Sequence, residues 1–180
     1  MNTSRGAISF DCFTSEQVKE INKVIRKNIS QKENASSPAK NVNKIGKFSY
    51  VDCGPLIDLL HPWLYNCQSI NRNYFQYDIY WNFHIEILSY NVYGTGGKYG
   101  WHVDSNSTGM VSPKLTCLLN LSEKPYEGGD LYVVGSNEKQ KFNSSGSAIV
   151  LTSLLSHKVT PVTKGERITL TYWAEGPSWK

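Results

Sequence analysis

His102 and Asp104 stand two residues apart in YGTGGKYGWHVDSN, residues 93–106, and on an extended chain both side chains point the same way. An imidazole and a carboxylate on one side of a strand can hold a metal ion. His-x-Asp alone is weak evidence, because it equally describes a surface histidine beside an Asp cap. The downstream stretch SHKVTPVTKGERITLTYW adds His157 and Arg167. Two imidazoles and a carboxylate could serve a hydrolytic zinc centre. Arg167 argues for something else, since a guanidinium near the metal can grip a carboxylate with two parallel hydrogen bonds.

Positioning these groups requires strands. From Tyr74 onward FQYDIYW, FHIEILSYNVY, KYGWHVD, KLTCLLNLS, DLYVVG, SAIVLTS, SHKVTPV and RITLTYW are short β-branched and aromatic runs separated by turn residues, which predicts an all-β sandwich or barrel. In RITLTYW, Arg167, Thr169, Thr171 and Trp173 share one face against Ile168, Leu170 and Tyr172. In KLTCLLNLS, Thr116, Asn120 and Ser122 oppose Leu115, Cys117, Leu119 and Leu121. The apolar faces should pack under helices and the polar faces should line an interior, a jelly roll with a polar mouth. If Lys164, Gly165 and Glu166 make a three-residue hairpin loop with Gly165 left-handed, Thr163 opposes Arg167 and His157 opposes Thr171. That register would bring His157, Thr171 and Arg167 to one face. Two histidines and one carboxylate on one side of a metal form the facial triad of non-haem Fe(II) oxygenases, with positions left open for cosubstrate and oxygen.

The N-terminal part reads as helical. TSEQVKEINKVIRKNI has a Thr cap, a Glu near the third helical position and apolar residues at helical spacing, which predicts a helix over 14–29. GPLIDLLHPWLYNCQSIN reads as a second helix, interrupted at Pro62. Between them, residues 31–47 are polar and without periodicity and read as a loop.

The 180 residues are read as one domain, with a helical part over about 1–73 and a jelly-roll core over about 74–175. The net charge of +4 is mild and the basic residues are scattered, which argues against nucleic acid as a partner. No apolar run approaches membrane-spanning length and no signal peptide is visible, so a cytoplasmic location is expected. The four cysteines are far apart and read as buried free thiols of a reducing compartment.

YGTGGKYGWHVD, LNLSEKPYEGGDLYV, GSAIVLTSLLSH and GERITLTYW, taken in that order, resemble the 2-oxoglutarate and Fe(II)-dependent dioxygenases of the prolyl 4-hydroxylase-like branch, over roughly residues 74–175. The resemblance implies a double-stranded β-helix fold with the N-terminal helices packed outside. It implies that His102, Asp104 and His157 ligate Fe(II), and that Arg167 binds the far carboxylate of 2-oxoglutarate, with Thr171 and Trp173 beside it. Tyr93 matches a tyrosine that hydrogen-bonds the same carboxylate, and Asn120 stands where many relatives carry an aromatic. Collagen-type enzymes use Lys at the Arg167 position.

The chemistry so implied couples oxidative decarboxylation of 2-oxoglutarate to hydroxylation, with O2 as oxidant and ascorbate as a candidate reductant. The expected substrate is a proline-containing peptide or protein. A free amino acid or other small molecule is the alternative, and a non-catalytic jelly-roll binding module is a further one. A nucleic-acid demethylase is disfavoured, because such enzymes carry a second Arg where this chain has Trp173. Tyr99 suits packing as well as ligand contact. Gly128 and Gly129 read as turn geometry, and His61 and His84 lie outside the motif. Residues 31–47 and the loop Ser105–Lys114 are the candidate substrate lids.

Overall fold

The computed structural model describes residues 2–4, 6–29, 43–80, 87–105 and 111–179. Its elements in chain order are β1 (Asn2–Ser4), β2 (Ala7–Asp11), α1 (Ser15–Ile29), β3 (Lys44–Ile45), β4 (Lys47–Asp52), α2 (Ile57–Ile70) and β5 (Ile87–Tyr93). There follow β6 (Lys98–His102), β7 (Val111–Asn120), β8 (Glu127–Gly128), β9 (Leu131–Val133), β10 (Ser147–Thr152), β11 (His157–Val159), β12 (Val162–Lys164) and β13 (Arg167–Pro177).

The strands form a seven-stranded sheet in the order β1-β2-β10-β7-β13-β5-β4 and a four-stranded sheet in the order β3-β6-β11-β9, with β8 and β12 as a separate pair. Each recorded pairing is antiparallel. The period-two alternation assigns each side of the larger sheet. Leu115, Cys117, Leu119, Ile168, Leu170 and Tyr172 face outward, where they pack against Val18, Ile21 and Ile25 of α1 and Leu60, Trp63 and Leu64 of α2. Leu118, Ile149 and Leu151 face inward and meet Leu131, Val133 and Val159 of the smaller sheet. The helices therefore cover one side of the larger sheet, and the smaller sheet covers the other.

Helix α1 starts where expected, but its capping partner is Gln17 rather than Glu16. Gln17 N donates to Thr14 Oγ1 at 3.3 Å and Thr14 N donates to Gln17 Oε1 at 2.9 Å, a reciprocal box that meets two otherwise free amides. Asn22, fully buried on the helix's inner side, donates through Nδ2 to Leu121 O at 2.8 Å and locks the helix onto the end of β7.

Three expectations fail locally. Pro62 does not interrupt the second helix, which runs unbroken from Ile57 to Ile70 after a short 3-10 turn. The carbonyl left without a donor belongs to exposed Asp58, while Leu60, Trp63, Leu64 and Cys67 hold the opposite side in the core. FQYDIYW is not a strand over its described part. Asn71–Phe75 is a π turn, Gln76 is left-handed at φ 55°, and Asn71 clamps the Tyr77 backbone through both its amide atoms. Nor is the N-terminal part purely helical. β2 pairs with β10 and β4 pairs with β5, so this part supplies strands at both margins of the larger sheet. Polar, mixed sequences such as KFSYVD are tolerated there because an edge strand needs only one buried side.

The cysteines are unbridged, with Cys53, Cys67 and Cys117 buried. Burial raises the Cys67 thiol well above its usual range, with neighbouring Cys117 adding to the effect. Among the described residues no helix is long and apolar enough to cross a membrane.

Candidate active site

The sandwich brings the chemistry-bearing residues to its interior from both sheets. His102 ends β6 and His157 opens β11, and the two are direct cross-strand partners. Asp104 lies just past β6, where its amide donates to Ser153 O at 3.0 Å. Arg167 opens β13 in the other sheet, opposite Tyr93 at the end of β5. The expected hairpin joining His157 to Arg167 does not form. β12 pairs with β8 instead of with β13, and Gly165, left-handed at φ 78°, turns the chain into the larger sheet. His157 opposes His102 and Val133, not Thr171. His157 and Arg167 still look into one cavity, because the inner sides of two packed sheets face each other.

One nitrogen or oxygen from each of His102, Asp104 and His157 lies within 4.8 Å of the others. Both histidines are held in the same way. Nδ1 of His102 lies 2.8 Å from Gly100 O, and Nδ1 of His157 lies 2.9 Å from Leu155 O. A carbonyl only accepts, so Nδ1 carries the proton and Nε2 presents a lone pair to the cavity. The Nε2 atoms stand 3.5 and 3.7 Å from the two Asp104 oxygens. Burial alone would raise the Asp104 carboxyl, but the His102 contact, the charge of His157 and the Thr116 hydrogen bond outweigh it and hold it at about 2. Burial lowers the His157 pKa, against the opposing pull of Asp104. Two imidazole nitrogens and a carboxylate kept ionised are a donor set that suits a divalent iron.

The other end of the cavity suits an anion. Arg167 is 2% exposed, and its Nη2 is buried without a hydrogen-bond partner. Its guanidinium carbon lies 5.4 Å from the Tyr93 ring and 5.5 Å from the Phe142 ring. A buried guanidinium lacking an acceptor costs free energy, and a bidentate carboxylate would remove that cost. Gly129 makes the room. It is left-handed at φ 62°, and a Cβ there would fall 2.8 Å from Arg167 Cδ. Gly129, which with Gly128 reads as turn geometry, therefore also seats the arginine. Thr171 lines the cavity and accepts from Asn91 Nδ2 at 3.0 Å. Burial pushes the Tyr93 phenol up, so it remains a donor, while Arg167 pulls the other way.

Asn120 is the exception among the expected ligand-binding residues, because it does not line the cavity. Its amide hydrogens go to Tyr126 Oη at 3.2 Å and Phe142 O at 2.9 Å, and its Oδ1 accepts from Ser122 N at 3.0 Å. Both amide hydrogens and one lone pair of Oδ1 are thus engaged by the neighbouring loops.

Two contributors went unrecognised in the sequence. Thr116 Oγ1 donates to Asp104 Oδ2 at 2.7 Å and so orients the carboxylate from the larger sheet. Lys44 lines the cavity from β3. The strand alternation already aimed Thr116 inward, but nothing in the sequence paired it with Asp104. Tyr99 stacks on His102 with ring centroids 3.5 Å apart, so it positions a ligand as well as packing. These residues surround a narrow cleft that opens to solvent on one side. His61 is exposed and stacks on Tyr65 away from this site. His84, and most of both candidate lids (residues 31–42 and 106–110), lie outside the described residues.

A family profile described as the 2OG-Fe(II) oxygenase superfamily matches residues 88–175, the span that carries all three metal-ligand candidates and Arg167. This span of the chain is similar to the 2-oxoglutarate and Fe(II)-dependent oxygenase superfamily. A PKHD-type hydroxylase of Shewanella oneidensis is 38% identical over 92 residues, 48% of this chain and 41% of that protein. The matched stretch is thus less than half the length of that curated relative. A prolyl-4-hydroxylase of Pseudomonas putida superposes with a TM-score of 0.74 over 96% of this chain and 94% of that one, at 19% identity. A prolyl hydroxylase from Trichoplax adhaerens, solved with a hypoxia inducible factor peptide fragment, superposes with a TM-score of 0.69, covering 94% and 83% at 18% identity. These two share the fold described here, a double-stranded β-helix with outer helices.

Proposed function

We propose that this chain is a single-domain hydroxylase that uses Fe(II) and 2-oxoglutarate and acts on proline in a peptide or protein. The observation that carries the reading is the pairing, across one cavity, of the His102–Asp104–His157 cluster with an Arg167 that is buried and lacks an acceptor. A metal site alone would leave that arginine unexplained. A dicarboxylate cosubstrate spanning from metal to guanidinium explains both. The resemblance to prolyl hydroxylases, one of them solved with a peptide fragment, supports the substrate class.

His102 Nε2, His157 Nε2 and the Asp104 carboxylate would hold the iron. Bound there, iron supplies the activation of O2 that decarboxylates 2-oxoglutarate to succinate and hydroxylates the substrate. The protein's own part is positional. The Gly100 and Leu155 carbonyls fix both imidazoles in the metal-binding tautomer, and Thr116 holds the carboxylate against rotation. Arg167, with Tyr93 and Thr171 near it, would anchor the distal carboxylate of 2-oxoglutarate, which sets how far its keto acid end reaches towards the ligands. Leu118, Leu131 and Val159 line the cavity between the two ends and keep its middle apolar. Asp104 matters to the outcome, since a carboxylate in this position leaves no ligand vacancy for a halide.

The test is direct. Protein supplied with Fe(II) and 2-oxoglutarate should release succinate, faster when a suitable proline-containing peptide is present, and mass spectrometry should find one added oxygen on proline. Succinate release with oxygen added to a small molecule alone would keep the enzyme and remove the peptide. No succinate under any condition would favour a binding module.

A further inference from the structure

The cavity contains a second basic side chain, to which the function proposed above gives no role. Lys44 on β3 pairs with Tyr99 on β6, which fixes its backbone beside the metal end of the site. Its Nζ lies 3.8 Å from the Phe48 ring centroid and 4.6 Å from that of Tyr99, the ring that stacks on His102. Among the described residues it makes no ion pair, and Asp104 is the one carboxylate lining the same cavity. Burial lowers the Lys44 pKa, and the field of Asp104 acts to keep the ammonium charged.

Charge complementarity decides what this cation is for. A divalent metal and the dianion of 2-oxoglutarate cancel each other. The chain's own lining then holds two basic side chains, Lys44 and Arg167, against one carboxylate, Asp104, since a histidine that ligates a metal is neutral. One positive charge remains in a half-enclosed space. A neutral peptide would leave it uncompensated in a low dielectric, where an opposite charge is worth far more than in water.

Resting on the function proposed above, we infer that Lys44 is a specificity residue that receives a carboxylate of the substrate, from an acidic side chain next to the target or from a free carboxyl end. The aromatic rings on either side hold the ammonium in place, leaving its N–H bonds to be filled by the incoming anion.

Protein loaded with Zn(II) and 2-oxoglutarate, which binds without turnover, separates the possibilities by calorimetry. The probes are blocked glycyl-prolyl-aspartate against glycyl-prolyl-asparagine, and acetyl-glycyl-proline with a free against an amidated carboxyl end. At least one acid should bind about tenfold more tightly than its amide, the size expected of a charge-assisted contact. Which pair shows the difference identifies the source of the carboxylate. Lys44→Met should reduce the preference to about twofold or less, and Lys44→Arg should restore it. Thermal unfolding and 2-oxoglutarate affinity of Lys44→Met should match wild type. The inference falls if wild type prefers neither acid, binds none of the probes, or keeps its preference in Lys44→Met. It also falls if Lys44→Met instead weakens 2-oxoglutarate, for then the lysine serves the cosubstrate. Each of these outcomes leaves iron-dependent succinate release by wild type intact. Loss of that release is what would sink the function itself.

Discussion

His102 and His157 face each other across the β6–β11 ladder, with ring centroids 4.2 Å apart, while their Nδ1 atoms turn outward to separate backbone carbonyls. The ladder thus fixes the spacing of the two rings, and the carbonyls fix which nitrogen each offers. Asp104 is the remaining variable, and it hangs on a loop rather than a strand.

That makes Asp104 the sharpest test of the metal site. Asp104→Ala should lower Fe(II) affinity by more than about 100-fold, beyond what loss of an outer-shell partner costs, and abolish succinate formation. Titration of the apo protein with Fe(II) under anaerobic conditions reads the first, and a succinate assay the second. Wild-type turnover at low metal would remove these three residues from consideration.

Thr116 has a subtler role. Thr116→Val keeps the volume and β propensity but deletes the 2.7 Å hydrogen bond to Asp104 Oδ2. Metal affinity should fall by about 10-fold, as for other outer-shell partners, with 2-oxoglutarate affinity of the metal-saturated protein little changed. Thr116→Ser, which retains the hydroxyl, should recover most of the loss. Equal metal binding by the valine and serine variants would show that Asp104 needs no orientation from the larger sheet.

Arg167 should behave in the opposite way. Arg167→Met should leave metal binding nearly intact and weaken 2-oxoglutarate by about 100-fold, the scale of a buried charge-assisted pair. Arg167→Lys keeps the charge but loses the fork, and should fall between the two. Unchanged cosubstrate affinity in Arg167→Met would mean the dicarboxylate lies elsewhere.

Much of this site was legible before the fold was known, for a local reason. His102, Asp104 and the glycine-rich lead-in are contiguous, and the alternation of RITLTYW assigns Arg167, Thr169 and Thr171 to one side whatever the strand's partner. The partner itself was not legible. Period-two patterning says which side a residue faces but not which sheet it joins, so the TKGE turn was read as a hairpin although it passes the chain between sheets. The surroundings of Asn120 were illegible for a related reason. It sits on the inner side as expected, but its partners, Tyr126 and Phe142, come from loops whose course no periodicity encodes. Lys44 was hidden because a two-residue strand carries no pattern at all.

Gly129 joins the turn chemistry to the proposed cosubstrate site. Any side chain at φ 62° is strained, which by itself costs about 1 kcal/mol. The larger effect is steric and directional. A methyl at Gly129 would meet Arg167 Cδ at 2.8 Å and Val162 Cγ2 at 3.0 Å, and Arg167 starts a buried strand, so its side chain must yield before its backbone can. Gly129→Ala should therefore push the guanidinium out of line and weaken 2-oxoglutarate by about tenfold, the equivalent of roughly 1.4 kcal/mol. Iron affinity should stay near wild type, because the metal ligands come from β6, β11 and the loop after β6, away from this turn. Paired titrations with Fe(II) and with 2-oxoglutarate would separate the two effects. Loss of both affinities together would mean that the substitution unfolds the smaller sheet. Loss of neither would mean that the glycine serves the turn alone and Arg167 has room to spare.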